Sequence, residues 1–286
     1  MAAPGFLPRT NFQHLLTALT AAGYLCLGPK VRDGAITYEE LGSADDLPQG
    51  VHDHQQPGVY RLQRDESPRC FAWANGPQAL KPLLFAPHEV LWTSAAGSDG
   101  GITFHPKKPE ALPTAVIGVR ACDLAALRLQ DQHFLEGPFP DPHYGARRRN
   151  LFLVAVHCTR PAATCFCAST GDGPRAESGF DLALAELDEG FMVTAGSPKG
   201  EILVGQLPSR PWIPPSRLPL TERSSLPPWR SNAPYLPAIC GTASLPTCTI
   251  PAGRMWPSAA CLAPTAAPSA LPVSATPRWR SPPWTA

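Results

Sequence analysis

The sequence predicts an α/β fold: one mixed-sheet domain with a βαβ core over residues 1–206, followed by an unstructured Pro-rich tail. Three observations carry this expectation. Two apolar runs, AVIGVR (115–120) and LFLVAVH (151–157), bracket an amphipathic segment, and strand, helix, strand at that spacing implies parallel pairing. Hydrophobic residues make up 43% of the 286-residue chain, enough to bury a real core. Beyond Leu207 the hydrophobic periodicity stops.

Taken in order, residues 10–22 place Leu15, Leu16 and Leu19 at helical spacing behind a Thr10/Asn11 cap, with Gly23 as the stop. Four strand-like stretches follow, YLCLGP, GAITYEEL, GVYRLQRD and RCFAWANG, punctuated by Gly, Pro and Asp. AVIGVR then reads as a buried strand. Asp123 is expected to cap a helix running to about Phe134 through Leu124, Leu127 and Leu129. LFLVAVH reads as the second buried strand and ends at Cys158. FDLALAEL and GFMVTAGSPKGEILV read as a meander turning at Gly-Ser-Pro.

Charge divides the chain in two. Residues 1–206 carry 17 basic and 22 acidic side chains, a balance of −5, whereas residues 207–286 carry seven Arg and one acid, Glu222, a balance of +6. Half of the 36 prolines and five of the seven Trp fall in that last stretch. Proline at this density blocks helices and central strands. A linker or disordered arm is the ordinary reading of such a tail, but Trp and a Lys-free set of seven Arg fit it badly. No signal peptide and no apolar run near the ~18 residues of a membrane span are visible, so a cytoplasmic location is expected. The nine Cys are then reduced thiols or metal ligands rather than disulfides. No nucleic-acid partner is expected.

Two thiols stand at the ends of the two buried strands. Cys122 is expected just before a helix, where free N–H groups and the dipole favour the thiolate. Cys158 ends the second strand, and Cys165 and Cys167 follow in the loop CTRPAATCFC. Ligands in open α/β sheets gather beyond the carboxyl ends of strands, and four thiolates there match the number an iron–sulfur cluster needs. The spacing C-x6-C-x-C is not a ferredoxin spacing, so packing of Cys122 and Cys158 as small core residues stays open. For Cys26 and Cys70, alternating with apolar residues, core packing is the better reading. The loop Gly171-Asp172-Gly173-Pro174 is either a plain turn or a close approach to a phosphate or cluster. Arg147, Arg148 and Arg149 form a solvated charge run or a site for a flavin phosphate or acidic partner. Asp131, Asp141 and Tyr144 are expected to hold loops in place.

The run from IGVRACDLAALRLQDQHF through CTRPAATCFCASTGDGP to FDLALAEL resembles the N-terminal domain of 4Fe-4S dicluster proteins. These are the beta (iron–sulfur) subunits of cytoplasmic NiFe sulfhydrogenases, and the corresponding iron–sulfur component of anaerobic sulfite reductase is similar. GPKVRDGAITYEEL, PGVYRL and FAWANGPQALKPLLF fit the same family, so the likeness runs from about residue 5 to about 205. It implies an electron-transfer subunit of a multisubunit oxidoreductase, partnered by a flavin-binding NAD(P)H-type subunit plus hydrogenase or sulfite reductase subunits. It implies Cys at the positions of Cys122, Cys158, Cys165 and Cys167, proposed as ligands of one 4Fe-4S cluster. A flavin- or nucleotide-binding regulatory module without its own cluster is the alternative.

The tail departs from that family, whose C-terminal half carries two C-x2-C-x2-C-x3-C-P motifs, whereas residues 207–286 hold only Cys240, Cys248 and Cys261. An Ala/Pro/Ser/Arg/Trp-rich stretch is what a GC-rich gene gives in a displaced frame. Joining the third base of each codon to the first two of the next, Met255–Trp256 forces Val and Trp256–Pro257 forces Ala. A displaced Cys needs a following Ala or Val codon, and Ala260, Ala263, Ala266, Ala270, Val273 and Ala275 all qualify. The displaced reading can be V-A-E-R-C-L-S-C-T-N-C-x-x-V-C-P-T-C-F-C, which contains the missing ferredoxin run. A frameshift near residues 205–215 is therefore expected, with the tail replacing a ferredoxin-type domain.

Overall fold

In a computed structural model, the described residues are 5–56, 58–76, 80–97, 101–107, 109 and 111–211. The expectation of an unstructured tail over 207–286 falls, from residue 212 onward, outside the described residues.

The chain begins with β1 (Gly5–Pro8), a 3-10 turn and helix α1 (Phe12–Ala21), then β2 (Leu25–Arg32) and β3 (Ala35–Glu40). A hairpin of β4 (Val51–Gln56) and β5 (Val59–Arg64) leads through an irregular segment to the short helix α2 (Lys81–Leu84). A second hairpin, β6 (Trp92–Ala96) and β7 (Ile102–Pro106), precedes β8 (Thr114–Val119), α3 (Ala121–Phe134), α4 (Pro142–Arg149) and β9 (Leu151–Val156). The one-turn helix α5 (Cys167–Thr170), β10 (Leu182–Leu187), β11 (Gly190–Ala195), α6 (Pro198–Gln206) and β12 (Arg210–Pro211) complete the fold.

Eight strands form one mixed sheet in the order β12-β1-β11-β10-β9-β8-β2-β3. The four central strands β10, β9, β8 and β2 are mutually parallel, and antiparallel partners close each side. The expected βαβ unit is present, with Thr114 opposite Leu151 and Ile117 opposite Val154 in parallel register. Both faces of these strands are buried, which is why they read as continuous apolar runs rather than alternating ones. Ile117, Phe152, Val154 and Val156 pack with Phe12, Leu15 and Leu19 of α1 and with Leu203 of α6. Val116, Leu151 and Leu153 face the other way, onto Leu124 and Leu127 of α3 and Tyr144 of α4. At Gly118 the register slips, and its φ of +95° is one that L side chains rarely adopt. Gly118 is thus the bulge at which the strand bends towards α3.

Several local expectations need correction. Asn11 takes the N-cap position of α1, but its side chain makes no cap hydrogen bond. Gly-Ser-Pro does not turn a meander; Ser197 caps α6 by accepting the Gly200 N–H at 3.1 Å, with Pro198 at the first helical position. RCFAWANG is not a strand. Its backbone polar groups are taken by side chains instead of by a ladder. The Glu186 carboxylate accepts the N–H groups of Cys70 and Phe71 at 2.7 and 2.9 Å. Asp53 accepts that of Ala74 at 2.6 Å, and Arg120 donates to the carbonyls of Phe71 and Trp73 at 2.9 and 2.8 Å. Cys26 and Cys70 are core residues, as expected. The hairpin β6–β7 sets Trp92, Phe104 and Ile102 along one strongly exposed face.

Glu186 is fully buried and pairs with Arg9 at 3.0 Å while holding two backbone donors. Replacing it leaves a half-buried cation and two orphaned N–H groups, so Glu186→Ala is expected to destabilise the fold by about 3–5 kcal/mol. Urea unfolding followed by intrinsic Trp fluorescence measures this, and a loss under about 1 kcal/mol would show that the segment does not depend on that carboxylate.

Candidate functional site

Because β8 and β9 are parallel neighbours, their carboxyl ends open on the same edge of the sheet. Arg120 follows β8 as the N-cap of α3, so Cys122 lies inside the first helical turn rather than before it. Asp123 is not the cap; its carboxylate reaches back from the third helical position to accept the Arg120 N–H at 3.0 Å. Cys158, two residues beyond β9, is half-buried and donates its N–H to the Pro174 carbonyl at 3.1 Å. Cys165 is exposed in the loop, where its sulfur accepts the Ala162 N–H at 3.3 Å. Cys167 is half-buried and opens α5, which Gly171 ends at a φ of +74°. Neither Cys122 nor Cys165 is a core residue.

The thiols influence one another. Burial of the Cys122 thiol pushes its pKa up to about 12, helped by the charges of Asp123 and then of Cys158, Cys167 and Cys165. Burial also raises Cys158, where Cys165 and Asp123 add to the rise and Arg120 opposes it. The expectation that the helix N-terminus stabilises a Cys122 thiolate is therefore reversed. A partial dipole charge of this kind contributes about 0.3–1 kcal/mol, and desolvation together with Asp123 outweighs it. Among the described residues, no three Cys, His, Asp or Glu side chains are gathered closely enough to form a ligand set.

Beneath the thiols lies a polar floor that the sequence does not reveal. Arg120 is 1% exposed, and its guanidinium lies 4.5 Å from the centroid of the Trp73 ring. One terminal nitrogen, Nη2, makes the two carbonyl bonds described above. The guanidinium draws the Cys158 pKa down by its charge and by a loosely aligned side-chain contact with the thiol. Its Nε and Nη1 are buried without a partner, and no ion pair holds it among the described residues. The cation–π contact is worth about 0.5–2 kcal/mol. Each orphaned buried donor costs about 1–3 kcal/mol, which offsets that gain. Asp123 is half-buried there, desolvation raises its pKa to about 6, and it accepts a short hydrogen bond from Asn75.

The remaining sequence candidates separate clearly. A Cβ on Gly173 would stand 3.0 Å from the Cys167 sulfur and 3.4 Å from Ala121 Cβ, so the Gly171–Pro174 loop is packed against the thiol edge. Asp141 caps α4 by accepting the His143 and Tyr144 N–H groups at 2.8 and 3.1 Å. Asp131 takes the Tyr144 hydroxyl at 2.7 Å and Arg148 Nε at 3.0 Å. Arg147 is bound to Glu89 and to the Leu84 carbonyl. Two of the three consecutive arginines thus hold structure together, while Arg149 is exposed. A cavity of about 480 Å³ lies between α3 and the 171–179 loop, lined by Arg128, Arg148 and Arg175 but also by Asp131, Glu136, Asp172 and Glu177.

Comparison with known proteins gives one partial likeness. The chain is 42% identical over 89 residues to sulfhydrogenase 2 subunit beta of Pyrococcus furiosus, covering 31% of this chain and 26% of that protein. The aligned part thus spans about a quarter of that relative. No protein-family model matches the chain, and no solved structure matches it.

His157, beside Cys158, accepts the Ala176 N–H on Nδ1 at 3.2 Å. Burial, then the charges of Arg175 and Arg120, lower its pKa from 6.5 to about 4. The unfolded chain therefore binds a proton between these values that the native state refuses, and stability falls as pH drops through that window. The full linkage is up to about 3 kcal/mol, reduced by partial exposure. His157→Asn keeps an acceptor but cannot titrate there. Urea midpoints at pH 7.5, 5.5 and 4.5 should fall less steeply in the variant, and equal slopes would refute the assignment.

Proposed function

We propose that residues 5–211 belong to an electron-transfer iron–sulfur subunit of a multisubunit oxidoreductase of the sulfhydrogenase or sulfite reductase type. Cys122, Cys158, Cys165 and Cys167 would hold one 4Fe-4S cluster. What supports the reading is that Cys122 and Cys158 follow the carboxyl ends of two neighbouring parallel strands, with Cys165 and Cys167 in the segment after the second. Four thiolates are the usual complement of such a cluster, so the donor set suits it in kind and number, but the described residues do not gather these side chains into a ligand set. Gly173, where a Cβ would crowd the Cys167 sulfur, leaves space beside the thiols, and the orphaned donors of Arg120 suit an anionic occupant. The partial likeness to a sulfhydrogenase beta subunit points the same way.

A cluster held here would take up and give up single electrons. The chain's own residues bind and orient it. The sheet edge and α3 fix Cys122 and Cys158, while the exposed loop supplies Cys165 and Cys167. Cys158 is half-buried, whereas Cys122 is exposed. The partners would be hydrogenase or sulfite reductase subunits together with a flavin-binding NAD(P)H-type subunit, in the cytoplasm. No helix among the described residues is long and apolar enough to cross a membrane.

The second reading, a flavin- or nucleotide-binding module, has the cavity by α3 in its favour. Its three arginines face four carboxylates, and Arg128 and Arg148 are already engaged with Asp172 and Asp131. A phosphate would meet more negative than positive charge, which favours the cluster reading.

Anaerobic incubation of the full chain with ferrous iron and sulfide should yield bound iron, bound sulfide and a paramagnetic signal on reduction with dithionite. Cys158→Ser and Cys167→Ser should lose most of the bound iron, whereas Cys26→Ala, in the core, should keep it. Failure of the wild type to load, or equal loading after replacement of all four cysteines, would sink the site. The tail reading has its own check in the gene. An open displaced frame across codons 205–275 with Cys at the six named positions is expected, and stop codons in that frame would refute it.

A further inference from the structure

Five of the large apolar side chains exposed in the fold, Val90, Leu91, Trp92, Ile102 and Phe104, belong to the hairpin of β6 and β7 or to its root. Cross-strand register sets Trp92 opposite Pro106, Ser94 opposite Phe104 and Ala96 opposite Ile102. These pairs alternate with Thr93–His105 and Ala95–Thr103, so the first three share one face of the hairpin. That face holds one hydroxyl, Ser94, and no charged group. Trp92, Phe104 and Ile102 are 61%, 65% and 68% exposed, so nothing described in the fold covers them. A two-stranded hairpin with both faces in water is marginal by itself, and an apolar face of this size marks a contact surface.

Charge, placement and area indicate what covers this face. From Val90 to Gly97 and from Gly101 to Lys107, only Lys107 is charged at neutral pH, and His105 lies on the opposite face. A charged partner therefore gains no ion pair here, whereas two copies laid face to face set no like charges together. The other exposed large apolar side chains, such as Leu129, Phe139 and Ile202, stand on separate elements. Among the described residues there is thus no second apolar face to receive the hairpin head to tail, and its complement is the same face of another copy. Such a contact has two-fold symmetry and closes at the dimer. An aromatic side chain buries about 150–250 Å², so this face buries roughly 600 Å² per copy. The pair then buries roughly 1,200 Å², the low end of what a specific interface needs. We propose that this chain forms a two-fold dimer in which the β6–β7 hairpins of two copies stack by their Trp92, Phe104 and Ile102 faces. The dimer does not depend on the four-cysteine reading. Each hairpin supplies the second layer that the other lacks.

Sedimentation velocity of the full chain between about 1 and about 200 µM should show monomer giving way to dimer, with a Kd of about 10 µM for so small an interface. The double variant Trp92→Ser, Phe104→Ser should raise that Kd at least about tenfold. Thr103→Ala, on the opposite face, should leave it unchanged. A monomer throughout the range overturns the proposal, and leaves the face to a different chain. A dimer that persists in the double variant, or an assembly that grows past two copies, overturns it as well. Because the double variant can loosen the hairpin, the wild type supplies a second measurement. Amide hydrogen exchange in residues 92–96 and 102–106 should slow about fivefold across the same concentration range as the dimer forms. Exchange that is independent of concentration overturns the proposal, whatever the variants show.

Discussion

Much of this fold depends on how one irregular, buried stretch, residues 69–76, satisfies its backbone. It lies within the core, where unpaired N–H and C=O groups are costly, yet it joins no ladder. Side chains from three distant places take over. Glu186 of β10 holds two of its N–H groups, Asp53 of β4 a third, and Arg120 at the start of α3 two of its carbonyls. Central sheet, hairpin and βα turn are thereby tied to one another through charged groups that are themselves buried. Phe71 and Trp73 then fill the core on that side, each about 1% exposed or less. The thiol edge stands directly above this arrangement because Arg120 and Cys122 are two residues apart.

The legible part of the fold was the part governed by periodicity. AVIGVR and LFLVAVH declare themselves because a parallel strand covered on both faces must be apolar throughout, and Leu15, Leu16 and Leu19 declare α1 by their spacing. The misread parts share another physics. RCFAWANG has the composition of a strand, and only the remote Glu186, Asp53 and Arg120 show where its hydrogen bonds go. GEILV looks like a strand end, but the Ser197-Pro198 pair before it is a helix start that outweighs β-propensity. PHYGARRR reads as a charge run, though Asp141-Pro142 is a helix cap and Tyr144 is 1% exposed.

For the candidate site, sequence located the thiols but not their environment. The edge of the sheet follows from strand order alone, which is why Cys122 and Cys158 could be placed together. The surroundings of Cys122 could not, because a helix N-terminus was the only neighbour visible. The structure adds burial, Asp123 one residue on and three thiols from other segments, and these reverse the sign of the effect. Arg120 was equally hidden. An Arg before Cys-Asp at a helix start looks like an exposed cap, and nothing local says that Trp73, 47 residues away, covers it.

These features together explain how one edge can suit an anion without being charged when empty. Raised pKa values keep Cys122 and Cys158 protonated near neutral pH, so the metal-free edge holds no excess of buried thiolates to repel one another. On the four-cysteine reading, a soft metal bound there would displace those protons, since only thiolates ligate, and its binding would be linked to proton release. The same logic accounts for Asp123. Its carboxylate is needed to start α3, and burial raises its pKa to about 6, so it opposes an added anion less than a carboxylate ionised throughout that range would. Helix start, buried cation and one thiol are thus packed into four consecutive residues, Arg120 to Asp123, at the point where a buried parallel strand ends.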